Sequence, residues 1–131
     1  MATMKQLWWV DWDQIELREV EIPQVKPNEV KVKVAYAALC ATDVHQVTMG
    51  VMNSKPPAPL GHEASGTIVE LGEQAAAAGY KVGDKVTMFP VSHCGECEWC
   101  KKGMTQYCIN SKPTGAFAEY VVTDVKTIYK L

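Results

Sequence analysis

The chain has 131 residues, 47% hydrophobic and 21% charged, which is the size and balance of one soluble globular domain and leaves no room for a second full one. Thirteen basic against fifteen acidic residues give a formal charge of −2, excluding the electrostatic footprint of a nucleic-acid or anionic-membrane binder. No stretch approaches the roughly 18 apolar residues of a membrane span, and the N-terminus is not signal-like, so a cytoplasmic protein is expected, with small molecules or other subunits as partners, no nucleic acid and no membrane.

In chain order, Ile15 to Ile22 and Val30 to Val34 alternate apolar and polar residues, a pattern that predicts half-buried antiparallel strands with the apolar side chains on one face. Pro23 and Pro27-Asn28 punctuate them. Gly66 to Leu71, Lys85 to Val91 and Phe117 to Thr123 are further strand candidates, with Gly83-Asp84 as a turn before the second. Good helix formers gather only at Gln74 to Ala78, which is expected to make one turn at most. Many short strands with tight connections predict a mainly β domain, a small barrel or sandwich with little helix.

Five cysteines, four of them within fifteen residues, suit metal ligation better than disulfides in a reducing compartment. Cys94, Cys97, Cys100 and Cys108 are spaced C-x2-C-x2-C-x7-C, which lets one loop wrap four thiolates around a single Zn2+. Gly95 and Gly103 let the backbone curl, and Lys101 and Lys102 offset part of the negative charge. An iron–sulfur cluster is the rival, because the first three cysteines also match the bacterial ferredoxin run. That run continues C-x3-C-P, whereas here seven residues intervene and Ile109 follows the fourth cysteine. A closed four-cysteine site holds structure and does no chemistry.

Cys40 lies in Cys40-Ala41-Thr42-Asp43-Val44-His45, and His62-Glu63 follow within Gly61 to Gly66. One thiolate, one imidazole and one carboxylate suit an open, catalytic zinc. Each also has an ordinary reading: Cys40 as a small buried hydrophobe, His62 as a hydrogen-bonded loop histidine, Glu63 as a solvated acid.

Taken together, the two segments resemble the C-x-T-D-x-H and G-H-E-x-x-G signatures of the zinc-dependent medium-chain alcohol, polyol and threonine dehydrogenases. Three further segments follow in that family's order: Lys81 to Val86 (KVGDKV), the cysteine lobe at about 92–110, and Gly115 to Val121 (GAFAEYV). The resemblance covers essentially residues 1–131 and implies the family's N-terminal catalytic domain, a GroES-like β-barrel with a structural zinc lobe. Cys40 and His62 match zinc ligands, and Glu63 matches the acid that enters or leaves the shell. Asp43 matches the carboxylate behind the zinc histidine, and Thr42 and His45 match the proton relay. His93 has no role in either motif and is expected to be a surface-loop histidine.

The resemblance further implies NAD or NADP as cofactor, a small-molecule alcohol, polyol or hydroxy amino acid as substrate, and a homo-oligomer when full-length. No G-x-G-x-x-G of a Rossmann domain occurs, and the family's third protein ligand to the catalytic zinc has no counterpart here. The chain therefore reads as a piece of such an enzyme, expected to lack cofactor-dependent turnover by itself. The alternative is a non-enzymatic, zinc-stabilised barrel serving as a binding or oligomerisation module.

Overall fold

The computed structural model describes residues 1–51 and 54–131. Strand β1 (Thr3–Asp11) turns back at Trp12-Asp13 into β2 (Gln14–Glu21). Asp13 makes the turn at φ 56°, a left-handed conformation that Asp tolerates better than most residues with a Cβ. Then come β3 (Glu29–Ala37), helix α1 (Ala41–Met49), β4 (Ala58–Pro59), β5 (Ala64–Leu71), helix α2 (Glu73–Ala77), β6 (Lys85–Met88) and β7 (Val91–Ser92). Helix α3 (Glu98–Lys101), β8 (Lys112–Pro113), β9 (Tyr120–Asp124) and β10 (Ile128–Lys130) complete the order.

Among the described residues the strands form three antiparallel sheets, ordered β2-β1-β4, β10-β6-β5-β3-β9 and β7-β8. The two larger sheets meet at the segment before β9. Phe117 C=O accepts from Leu7 N–H at 2.8 Å, Lys5 C=O accepts from Glu119 N–H at 3.2 Å, and Val34 N–H donates to Glu119 C=O at 3.0 Å. Residues 117–119 divide their backbone groups between both sheets, so the seam is a corner with one isolated bridge, Gln6 to Ala118. The mainly β, helix-poor expectation is met, and the barrel is realised as stitched sheets in place of one closed ladder.

The core lies against the five-stranded sheet. Val30, Val32, Ile68 and Val86 are fully buried, with Val121 and Ile128 beside them; burial of each such side chain is worth roughly 1.5–3 kcal/mol relative to exposure. These residues come from strands whose alternation is regular, which is why β3 and β5 fall where their patterns place them.

Four expectations need correction. The apolar residues of β2 do not share one face, because the phase slips between Leu17 and Val20: Ile15 and Leu17 are 55% and 61% exposed, while Val20 is half-buried. The predicted strand Lys85 to Val91 is cut into β6 and β7: Phe89 N–H still makes a rung beside β10, to Thr127 C=O at 2.6 Å, but Pro90 has no N–H with which to carry the ladder on. The Phe117 to Thr123 strand begins as β9 only at Tyr120, its first residues being spent on the corner. Helix α1 lies where no helix is expected, because Thr, Asp, Val and His are indifferent helix formers. Its signals are positional: Asp43 in the first turn reaches back to the Cys40 N–H at 3.0 Å, in the manner of a capping box, and Gly50 ends it at φ 75°.

Candidate metal centres

The pairing of β3 with β5 explains why Cys40 and His62 meet. Ala37, the last residue of β3, stands opposite Ala64, the first of β5. In an antiparallel pair, the residues that follow one strand lie at the same end as those that precede the other. Ala38 N–H ties the two segments by donating to Glu63 C=O at 2.9 Å.

At this end of the sheet one ligand atom each from Cys40, His62 and Glu63 lie within 4.8 Å of one another. Nε2 of His62 is 3.9 Å from a Glu63 carboxylate oxygen, while its Nδ1 is turned the other way, 3.3 Å from Asp43 Oδ1. Asp43 is 3% exposed, with one oxygen accepting from the Cys40 N–H and the other receiving no hydrogen bond. A buried carboxylate oxygen with no partner but the rear nitrogen of an imidazole suits a histidine whose front nitrogen binds a metal. The Cys, His and carboxylate donors fit Zn2+, with the remaining coordination positions left to water or a further ligand.

Thr42 Oγ1 lies 3.5 Å from Cys40 Sγ. His45 follows one turn later on α1, on the same flank as Thr42, and is exposed. Beside His62 and Glu63 runs a cleft of about 340 Å³, also lined by Tyr36, Thr87, Met88 and Pro90. Motif reading assigns these last four nothing; Thr87 is fixed there by its hydroxyl, which donates to Ala64 C=O at 3.1 Å.

The direction of His62 is set from behind by the segment Gly115 to Phe117. Ala116 N–H donates to Gly61 C=O at 2.9 Å and Phe117 N–H to Leu60 C=O at 3.0 Å. Gly61 has φ 92°, and a Cβ there would stand 2.5 Å from Phe117 N. Gly61→Ala is therefore expected to combine left-handed strain of about 1–3 kcal/mol with a backbone collision, lowering stability by about 2 kcal/mol or more and displacing His62. A urea midpoint unchanged from the parent protein would contradict this.

The second cluster is the cysteine lobe, whose base is closed by the pairs Val91–Pro113 and Ser92–Lys112. Cys94 Sγ is 3.6 Å from Cys108 Sγ and 4.0 Å from Cys100 Sγ. Four sulfurs held about 2.3 Å from one ion at tetrahedral corners stand about 3.8 Å apart; these two spacings, with all four sulfurs within 4.8 Å of one another, are compatible with a tetrahedral S4 site. Cys97 caps α3 and Cys100 lies within it, while Gly95 and Gly103 turn the chain at φ 72° and 77°. Trp99 packs on Tyr107 at 5.6 Å. The N–H groups of Glu96 and then Cys97, both directed at its sulfur, pull the Cys94 thiol down to about 6. Burial, reinforced by the neighbouring thiols, pushes Cys100 up to about 12. Cys94 is thus the first of the two to become a thiolate, the form that binds a metal.

His93, expected on a surface loop, is half-buried. Its ring lies 5.5 Å from Phe89 and its Nδ1 is buried without a partner. No helix among the described residues is long and apolar enough to cross a membrane.

Comparison with known proteins adds to this geometry. Residues 26–131 match the family model "Alcohol dehydrogenase GroES-like domain". An L-threonine 3-dehydrogenase of Pyrococcus horikoshii is 37% identical over 123 residues, 88% of this chain and 35% of the relative. An NAD-dependent alcohol dehydrogenase of Sulfolobus acidocaldarius is 38% identical over 131 aligned residues, 91% of this chain and 38% of the relative. The solved structure of an alcohol dehydrogenase from Escherichia coli CFT073, in complex with NADH, superposes with a TM-score of 0.82 at 32% identity, covering 100% of this chain and 39% of that one. The chain thus spans little more than a third of the length of these relatives.

Proposed function

Because the chain belongs to the alcohol dehydrogenase GroES-like domain family, we propose that it forms the metal-bearing domain of a zinc-dependent dehydrogenase that oxidises a small alcohol, polyol or hydroxy amino acid with NAD or NADP. The observation that carries this reading is the buried Asp43 carboxylate facing Nδ1 of His62, with the opposite ring nitrogen facing Glu63 beside an accessible cleft. Capping α1 occupies only one of the Asp43 oxygens; the other, buried and facing Nδ1 of His62, has no part in the cap.

In this reading Cys40, His62 and Glu63 hold the catalytic zinc, and Cys94, Cys97, Cys100 and Cys108 hold the structural one. Zinc at the first site supplies a Lewis acid that polarises the substrate oxygen and lowers its pKa. Asp43 keeps the His62 proton on Nδ1, leaving the Nε2 lone pair for the metal. Thr42, whose hydroxyl adjoins Cys40, would accept the substrate's proton as it gives its own to exposed His45 one turn away, which then releases a proton to solvent. The cleft walls, Tyr36 and Met88 among them, contact the substrate.

Metal analysis tests the proposal. The purified chain is expected to hold about one tightly bound zinc in the lobe and a second, weaker and sub-stoichiometric one. Cys40→Ser removes the second and leaves the first. Iron in place of zinc, no metal at all, or a second zinc indifferent to Cys40→Ser would each defeat the assignment.

A further inference from the structure

The end of α1 that carries Cys40 and Asp43 belongs to the proposed metal site, and its opposite end is held by a part of the chain with no role in that site. The tip of the β1–β2 hairpin reaches it in two ways. Asp13 N–H donates to Val47 C=O at 3.0 Å, satisfying one of the four last carbonyls that a helix cannot pair internally. The Trp12 indole lies against Gly50, at the helix's C-terminal cap, so that an added Cβ there would stand 3.1 Å from Trp12 Cη2 and 3.5 Å from Cζ3.

Trp12 is itself braced. Its ring meets Trp9 edge-on, with centroids 5.1 Å apart and planes at 77°. Trp9 is 0% exposed, and its backbone is paired on both sides, with Ile15 in β2 and Ala58 in β4. The sheet therefore holds Trp9, Trp9 holds Trp12, and Trp12 with Asp13 holds the C-terminal end of α1.

The helix depends on such support. It has nine residues, of which only Asp43 and Gln46 are buried, so it brings little apolar surface to the core. A helix of that length is not stable by its own hydrogen bonds. It nevertheless acts as a rod about 13 Å long, and a tilt of about 10° at its C-terminal end moves the Cys40 end by about 2 Å. That is about the length of a zinc–ligand bond.

We propose that Trp12 is a positioning residue for the Cys40–His62–Glu63 centre, acting through α1 from the end remote from the metal; the proposal rests on the zinc reading given above. Trp12 is 43% exposed, so shortening it does not open the buried core. In metal-free Trp12→Ala, amide exchange at Cys40, whose N–H is held by Asp43, should rise several-fold. In the zinc-loaded protein, chelator competition should show the Cys40-dependent zinc held roughly tenfold more weakly, with the lobe zinc unchanged. Trp12→Phe, which keeps an aromatic ring at the hairpin tip but lacks the Cη2 that lies against Gly50, should recover part of both. Unchanged Cys40 exchange in Trp12→Ala overturns the proposal, as does a parallel loss of the lobe zinc, or Trp12→Phe behaving like alanine. If the parent chain takes up no Cys40-dependent zinc, the functional reading fails instead, and the exchange measurement still decides whether Trp12 positions the helix.

Discussion

Cys97→Ser is expected to cost the protein its tightly held zinc and the order of the whole lobe, whereas Cys40→Ser should leave the fold almost untouched. The lobe between β7 and β8 contains two one-turn helical pieces and only one buried hydrophobic residue, Cys108, so apolar packing contributes little to holding it. In the proposed reading metal ligation supplies what the missing core does not, and closed zinc sites contribute on the order of 10–16 kcal/mol in small domains that fold around their metal. Removal of one of four ligands is therefore expected to lower the thermal midpoint by about 10 °C or more, with early loss of the Trp99 fluorescence that reports on the lobe. Cys40 donates no backbone order that serine cannot also donate at a helix cap, so its replacement should shift the midpoint by no more than about 3 °C. Equal shifts, or the larger one at Cys40, would contradict this division of roles.

The second large effect belongs to turnover in a full-length enzyme containing this domain. His62→Ala removes the ligand that Asp43 orients, and NAD(P)H formation should fall by about 10³-fold or more, since a metal Lewis acid supplies several kcal/mol of the barrier reduction. Asp43→Asn keeps the ligand but changes the group facing Nδ1, and should weaken zinc affinity by about 10–100-fold. His45→Ala should slow the reaction most in dilute buffer, where no external base replaces the relay. Steady-state rates taken beside metal content separate the three. An enzyme indifferent to His62→Ala would refute the zinc mechanism.

Much of this arrangement was legible in residue order, for physical reasons that differ from part to part. Val30, Val32 and Val34 alternate cleanly because one face of β3 meets the core, and a period of two survives wherever one face is buried. The clustering of the four lobe cysteines could be read from spacing because they are local in sequence. The site residues Cys40, His62 and Glu63 could be proposed as a set from motif resemblance, yet their meeting depends on the Ala37–Ala64 register, which no local pattern encodes. Helix α1 escaped because its composition argues against helix, and its existence rests on Asp43, Gly50 and the hairpin tip. Ile15 and Leu17 misled because the apolar positions change phase between Leu17 and Val20, and on the edge strand β2 the face carrying Ile15 and Leu17 is left exposed. The burial of His93 beside Phe89 left no trace in a stretch that otherwise reads as polar loop.

The closed base of the lobe also bears on the order in which the molecule assembles. The four cysteines lie within fifteen consecutive residues, and closing so short a loop costs little chain entropy. A zinc ion can therefore be captured by this stretch while the rest of the chain is still unfolded. The Cys40–His62 pair comes together only after β3 has found β5 across the intervening helix and loop, a pairing of higher sequence separation that forms slowly. Under the zinc assignment proposed above, one ion is thus expected to take part in folding and the other to arrive after it. During refolding in limiting zinc, the lobe fills first, and the ligands in the cleft are completed only when the five-stranded sheet has closed.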